Sequence, residues 1–220
     1  MRVIVVDTGL GNLRSVERAL LEASRRMGDV ATIEVSRVPS ALADADRIVM
    51  PGQGAFRDCS RALDGGWREA LRASIERGTP YLGICLGLQV LFERSDEADP
   101  SCKGLGLFAG SVKRLGGGID ALTGQPLPIP HVGWNTADPT RPHALLPLTP
   151  THFYFVHSYA VVPDERSIVA ATSTYGEPFV SAVAKDNVLA VQFHPEKSQQ
   201  AGLALLERFL RGPHGHSARD

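Results

Sequence analysis

PYLGICLGLQVLF, Pro80 to Phe92, decides how the chain is organised. Pro80 to Ile84 is a short apolar run of the kind a buried strand uses, and Leu88, Leu91 and Phe92 then recur at helical spacing. Between them sits Gly83-Ile84-Cys85-Leu86-Gly87, a cysteine with glycine two residues away on each side. A strand that turns abruptly into a helix leaves space only for small residues at those two positions, and it lifts the residue at its apex off the sheet. The same strand-then-helix unit recurs upstream. Val3 to Val6 is continuously apolar and β-branched, and Leu13, Val16, Ala19, Leu20 and Ala23 follow at helical spacing before Gly28. Arg47 to Met50 runs into the breaker Pro51-Gly52-Gln53-Gly54, after which Trp67, Ala70, Leu71 and Ile75 mark a helix closed by Gly78. Strands alternating with helices predict an α/β fold with a parallel sheet covered on both faces.

After Leu105 the texture changes. LFAGSVKRL, HFYFVHSYAVV and FVSAVAKDNVLAVQF alternate or run apolar, and Lys185-Asp186-Asn187 reads as a hairpin turn, so the second half should add antiparallel strands. A last helix is expected over Ala201 to Leu210, with Leu203, Leu206 and Phe209 or Leu210 inward. Residues 1–211 are therefore read as one domain built on a mixed, mostly parallel central sheet flanked by helices. Residues 212–220 are polar and expected to fray.

With 220 residues there is enough chain to bury a substantial core, and 43% hydrophobic with 21% charged residues is ordinary for a globular protein. A formal net charge of −1 gives no reason to expect a nucleic-acid or membrane partner. The apolar run at the N-terminus stops at Asp7, too early for a signal core or a membrane span, so a cytosolic protein is expected. Three cysteines without CxxC pairing form neither a disulfide framework nor a thiolate zinc site. Any special cysteine must act through reactivity.

Cys85 is the candidate. At the start of a helix, free backbone N–H groups and the positive dipole end favour a thiolate, and the Leu86 amide is the natural donor to an oxyanion. By itself the motif is also met by buried structural cysteines. Val191-Gln192-Phe193-His194-Pro195-Glu196-Lys197 adds a second element: on an extended segment His194 and Glu196 point the same way, so a carboxylate can hold the imidazole. The Pro51–Gly54 breaker leaves its strand at the same edge as Cys85, and the Gln53 amide is a candidate second oxyanion donor. Asp7-Thr8-Gly9-Leu10-Gly11 lacks the third glycine of a dinucleotide fingerprint, since Arg14 stands there. Histidines and cysteines are scattered without metal-ligand spacing, so neither cofactor nor metal is expected.

PGQG, GICLGLQ and QFHPEKS, in this order, resemble the class I glutamine amidotransferases of the Cys-His-Glu glutaminase type, over nearly the whole chain. DTGLGNLRS, PGQGAFRDC, HVGWN (His131 to Asn135) and YFVHSY (Tyr154 to Tyr159) resemble more narrowly the glutaminase subunits of imidazole glycerol phosphate synthases. The resemblance implies Cys85 as nucleophile, His194 as proton carrier and Glu196 as its orienter, with Gln53 and Leu86 amides for the oxyanion. It further implies that Gly52, Gln89, His157, Ser158 and Tyr159 hold glutamine. Trp134 and Asn135 would then lie near the ammonia exit and a (β/α)₈-barrel cyclase partner, forming a heterodimer. Two positions depart from the pattern: Thr8, where an aromatic residue is usual, and Gln53, where an apolar one is. A glutaminase serving another synthase (pyridoxal phosphate, anthranilate or GMP type) and a non-catalytic scaffold are the alternatives; no GGEST stretch or GHQ elbow favours the first, and Cys85, His194 and Glu196 together argue against the second.

Overall fold

The three strands and the first helices read from the sequence are present, with a further strand and a further helix among them. The computed structural model describes residues 1–119 and 123–212; most of the expected frayed tail lies outside them. In chain order come β1 (Arg2–Val6), α1 (Leu13–Arg26), β2 (Thr32–Ser36), β3 (Arg47–Gly52), α2 (Phe56–Leu63), α3 (Trp67–Glu76), β4 (Tyr81–Cys85) and α4 (Leu86–Gln89). Then follow β5 (Phe92–Ser95), β6 (Phe108–Arg114), β7 (His131–Pro139), β8 (Thr151–His157), β9 (Tyr159–Pro163), β10 (Val169–Tyr175), β11 (Glu177–Lys185), β12 (Val188–Val191) and α5 (Gln199–Arg211).

Among the described residues these strands make a nine-stranded sheet of order β2-β1-β3-β4-β12-β11-β10-β7-β8 and a three-stranded sheet β5-β6-β9. From β2 to β12 every neighbouring pair is parallel; from β12 to β8 every pair is antiparallel. The sheet is mixed as expected, and the change of direction falls at β12. The β11–β12 hairpin turns at Asp186 and Asn187, with Lys185 opposite Val188 and Asp186 at φ 50°, a left-handed conformation that aspartate tolerates.

Alternation along each strand sorts the apolar side chains into two cores. Val3, Val5, Val49, Leu82 and Ile84 meet α1 and α5 through Val16, Leu20, Leu205 and Phe209. Ile4, Val6, Ile48, Met50 and Tyr81 meet α2, α3 and the small sheet through Phe56, Leu63, Leu71 and Phe108. Covering both faces explains why these strands read as unbroken apolar runs. Among the described residues no helix is long and apolar enough to cross a membrane.

Two expectations change. The helix after Cys85 is a single turn ending at Gln89, and Phe92 opens a strand. The cause is competition for backbone acceptors: Leu105 N–H donates to the Val90 carbonyl at 2.6 Å, and Leu107 and Phe108 N–H to that of Leu91. The HFYFVHSYAVV run is also two strands, split at Ser158, and β8 and β9 belong to different sheets.

Candidate active site

Cys85 ends β4 with φ 55° and ψ −106°, backbone that costs a non-glycine residue about 1–3 kcal/mol and persists only where its surroundings enforce it. The flanking glycines are part of that enforcement. A Cβ on Gly83 would stand 2.5 Å from the Gly87 carbonyl oxygen, and one on Gly87 would overlap the Met50 carbonyl oxygen. The buried Tyr81 hydroxyl donates to the same Gly87 carbonyl at 2.8 Å, tying the turn down from below. Because α4 is one turn long, the expected dipole shrinks to the local effect of its first free amides.

Three neighbouring strand ends bring the predicted residues together. β3, β4 and β12 are adjacent and parallel, with Gly52 opposite Cys85 in register, and the chain leaving β12 carries His194 and Glu196. His194 Nδ1 lies 2.7 Å from Glu196 Oε1, both side chains 2% exposed. Backbone bonds fix this segment: His194 N–H donates to the Tyr154 carbonyl at 2.8 Å, Ser198 Oγ donates to the His194 carbonyl at 2.6 Å, and Tyr154 N–H donates to Ser198 Oγ. Phe193, fully buried, stacks on Phe153 at 4.0 Å between centroids. Burial opposes a charged imidazole, but Cys85 and Glu196 outweigh it and push the His194 pKa up to about 10. Its Nε2 is buried and makes no hydrogen bond.

A cavity of about 380 Å³ opens on Cys85, and Gln53, Leu86, Gln89, His157, Ser158 and Tyr159 line it with the thiol. Gly52 lies behind, against Leu86; with Gln53, His194 and Glu196 it faces a smaller cavity. Trp134 and Asn135 do not line the main cavity. Trp134 is 47% exposed, and Asn135 donates to the Thr174 carbonyl at 2.8 Å.

The family model for class I glutamine amidotransferases matches residues 4–212. The chain belongs to this family. It is 46% identical over 222 residues to the imidazole glycerol phosphate synthase subunit HisH of Thiobacillus denitrificans, a match covering 98% of this chain and 93% of that protein. The subunit of the same name from Nitrosomonas europaea is 47% identical over 213 residues, covering 95% and 97%. Among solved structures, a glutamine amidotransferase superposes with a TM-score of 0.68 at 20% identity, covering 94% of this chain and 98% of its own. PurLQS from Thermotoga maritima does so with 0.68 at 17%, covering 95% and 97%. At those identities the structures speak for the fold alone.

In this amidotransferase several lining side chains turn out to be committed internally. His157 Nδ1 is 2.9 Å from the Tyr159 carbonyl, which can only accept, so Nδ1 carries the proton and Nε2 accepts from His131 Nδ1 at 3.0 Å. His131 Nε2 in turn faces Asn135 Nδ2 at 3.4 Å. Burial keeps both rings neutral: it lowers His131 to about 4 and His157 to about 3, the Tyr159 carbonyl acting against it in His157 and the His131 and His194 charges with it. Three residues of the site escaped sequence reasoning. Glu97 and Lys197 line the cavity, and Gln192 donates to Cys85 Sγ at 3.4 Å. Only Gln192 carried a signal, being two residues before His194 and hence on its side of an extended chain.

Proposed function

We propose that this amidotransferase hydrolyses glutamine to glutamate and ammonia and hands the ammonia to a (β/α)₈-barrel cyclase subunit. In that role it is the glutaminase subunit of an imidazole glycerol phosphate synthase, whose cyclase forms imidazole glycerol phosphate and an aminoimidazole carboxamide ribotide in histidine biosynthesis. The observation that carries this reading is the strained Cys85, lining the main cavity, with His194 beside it and held at 2.7 Å by Glu196; Cys85 and Glu196 both favour the charged imidazole. The names of relatives at 46% and 47% identity support the assignment to this synthase.

Cys85 Sγ attacks the side-chain carbonyl carbon of glutamine, and the displaced electron pair settles on oxygen, where the Gln53 and Leu86 backbone amides receive it. His194 Nε2 gives its proton to the departing nitrogen, which leaves as ammonia. Water then attacks the thioester, His194 takes its proton, and glutamate leaves as the thiol is restored. Glu196 keeps the ring aligned and its charge balanced throughout. Glu97 offers the α-ammonium of glutamine a carboxylate, one oxygen of which already accepts from Phe56 N–H at 2.8 Å. Gly52, Gln89, His157, Ser158 and Tyr159 shape the glutamine site; since both His157 nitrogens are engaged, the ring contributes surface rather than a hydrogen bond.

The route outward is supported by the sheet. On β7 and β8, Val132 pairs with Val156 and Trp134 with Tyr154, leaving Val132 and Trp134 exposed. Val156 and Lys197 also line the cavity, and Lys197 Nζ lies over the Tyr154 ring at 5.8 Å. An apolar strip thus adjoins the thiol's cavity, where a partner could seal the ammonia from water. The test is glutamine hydrolysis by the chain alone, with a histidine-pathway cyclase subunit, and with that subunit plus its nucleotide ligand. Stimulation at each step is expected, abolished by Cys85→Ala; no stimulation in any mixture would exclude this synthase, and an unchanged rate in Cys85→Ala would exclude the mechanism.

A further inference from the structure

The group that touches the sulfur is a carboxamide. Gln192 is fully buried, and its Nε2–H points at Cys85 Sγ at 3.4 Å. Its Oε1 accepts from Gln89 Nε2 at 3.2 Å, and Gln89 Nε2 also donates to the Tyr159 carbonyl at 3.1 Å. A carboxamide with its oxygen held by a donor cannot turn over, so its N–H end must face the sulfur. The backbone is fixed as well, Gln192 N–H donating to the Ser181 carbonyl at 2.8 Å.

A second polar neighbour of Sγ is the Val156 carbonyl at 3.9 Å, and these two have opposite preferences. A carbonyl oxygen suits an S–H and repels a negative sulfur; an amide N–H suits a negative sulfur. His194 also lies beside the sulfur and is favoured in its charged form by it, but its buried Nε2 is in no hydrogen bond of good geometry, whereas the Gln192 N–H is.

We propose that Gln192 is a positioning residue for the nucleophile: it fixes Sγ at the cavity wall and stabilises negative charge on it, with Gln89 as the brace that sets its orientation. The proposal rests on Cys85 being the glutaminase nucleophile. The charge appears on sulfur twice. Before attack the thiol proton goes to His194 and the electron pair left behind forms the S–C bond; in hydrolysis of the thioester that bond breaks and returns its pair to sulfur. The Gln192 N–H accompanies both steps without being consumed. Gln89 links this device to the cavity it lines, and successive hydrogen bonds in a dry site polarise one another.

The experiment is alkylation of Cys85 in the full chain by iodoacetamide across pH 5–9, located by mass spectrometry because Cys59 and Cys102 are also free thiols, beside glutaminase kinetics with the cyclase subunit. The titratable groups around the sulfur (His194, Glu196, His157, Glu97 and Lys197) stay unchanged in every variant. Gln192→Met, close in size and without a donor, is expected to alkylate about tenfold more slowly at pH 7 with its pH midpoint moved upward, and to lose tenfold or more in kcat with KM within threefold. Gln192→Glu keeps the oxygen that accepts from Gln89 but sets a carboxylate against the sulfur, and should alkylate more slowly still. Unmoved alkylation profiles in these variants, whatever kcat does, would overturn the proposal and leave only a structural role. A readout without variants comes from the chain labelled with ¹⁵N-glutamine: the Gln192 side-chain amide resonance should shift on alkylation of Cys85, and its failure to shift would count equally against the idea. Cys85→Ala separates the two layers, since turnover unaffected there removes the glutaminase reading itself, whereas a dead Cys85→Ala with wild-type behaviour at Gln192 removes this inference alone.

Discussion

Gly87 has no side chain, yet the thiol depends on it. The Met50 carbonyl of β3 occupies the place where a Cβ would go, and a backbone atom cannot rotate away as a side chain can. Gly87→Ala should therefore push α4 off β3, costing about 1–3 kcal/mol. In a domain of this size that is a fall in Tm of about 2–12 °C, and turnover should drop at least tenfold as Cys85 leaves its strained turn; thermal denaturation and a glutaminase assay on the same preparation check both. The need for glycine at 83 and 87 was legible in the sequence because a strand-to-helix reversal admits nothing larger. The carboxamide of Gln192 was not, because the consequence of its position depends on which strand lies next to β12, and linear sequence does not state strand order.

Among the elements, the early strands were easiest to read, since burial on both faces writes itself as uninterrupted Val, Ile and Leu. β2 and β10 were missed because their apolar content is diluted by polar residues; Thr32, Glu34 and Ser36 alternate with Ile33 and Val35 in one, and Thr172, Ser173 and Thr174 follow Ala170 and Ala171 in the other. α4 was overextended for the opposite reason: Leu91 and Phe92 have helical spacing, but their backbone is taken by residues 105–108, a tertiary override of local pattern. β7 carries an element-scale prediction. Its exposed Trp134 touches the Tyr154 ring edge-on at 6.1 Å and supports no core, so Trp134→Ala should leave Tm within about 1–2 °C. An exposed aromatic that a partner covers is a common anchor, so the same change should weaken cyclase binding about tenfold or more, a difference of about 1.4 kcal/mol. Titration calorimetry against the cyclase subunit reads it, and unaltered affinity would remove β7 from the interface.

Across the molecule, buried histidines confine stability from both sides of neutrality. His131, His157 and His143 are lowered by burial, His143 also by Arg141. Below pH 6.5 the unfolded chain takes up protons that these rings refuse, so stability present above that value is lost as pH falls toward 4. His194 is raised, so its contribution is complete below pH 6.5 and is lost as pH climbs toward 10. Chemical-denaturation midpoints measured from pH 5 to 9 should therefore be highest between about 6 and 7.5. His131→Gln with His157→Gln should flatten the acid side, Glu196→Gln the alkaline side, and a wild-type curve rising steadily from pH 5 to 9 would contradict the assignment.

The place of β12 in the sheet also bears on how the protein is made. It is the last of the described strands to be synthesised and sits at the centre, between β4 and β11, while Cys85 and Gln192 are 107 positions apart along the chain. At roughly 5–20 residues per second, translation leaves an interval of about 5–20 s between them. Throughout it the nascent chain has its thiol but neither the Gln192 amide nor its proton carrier. A ribosome-bound chain is for that time unable to consume glutamine, and its half-built sheet ends at β4 on an open edge that nascent-chain chaperones would be well placed to shield.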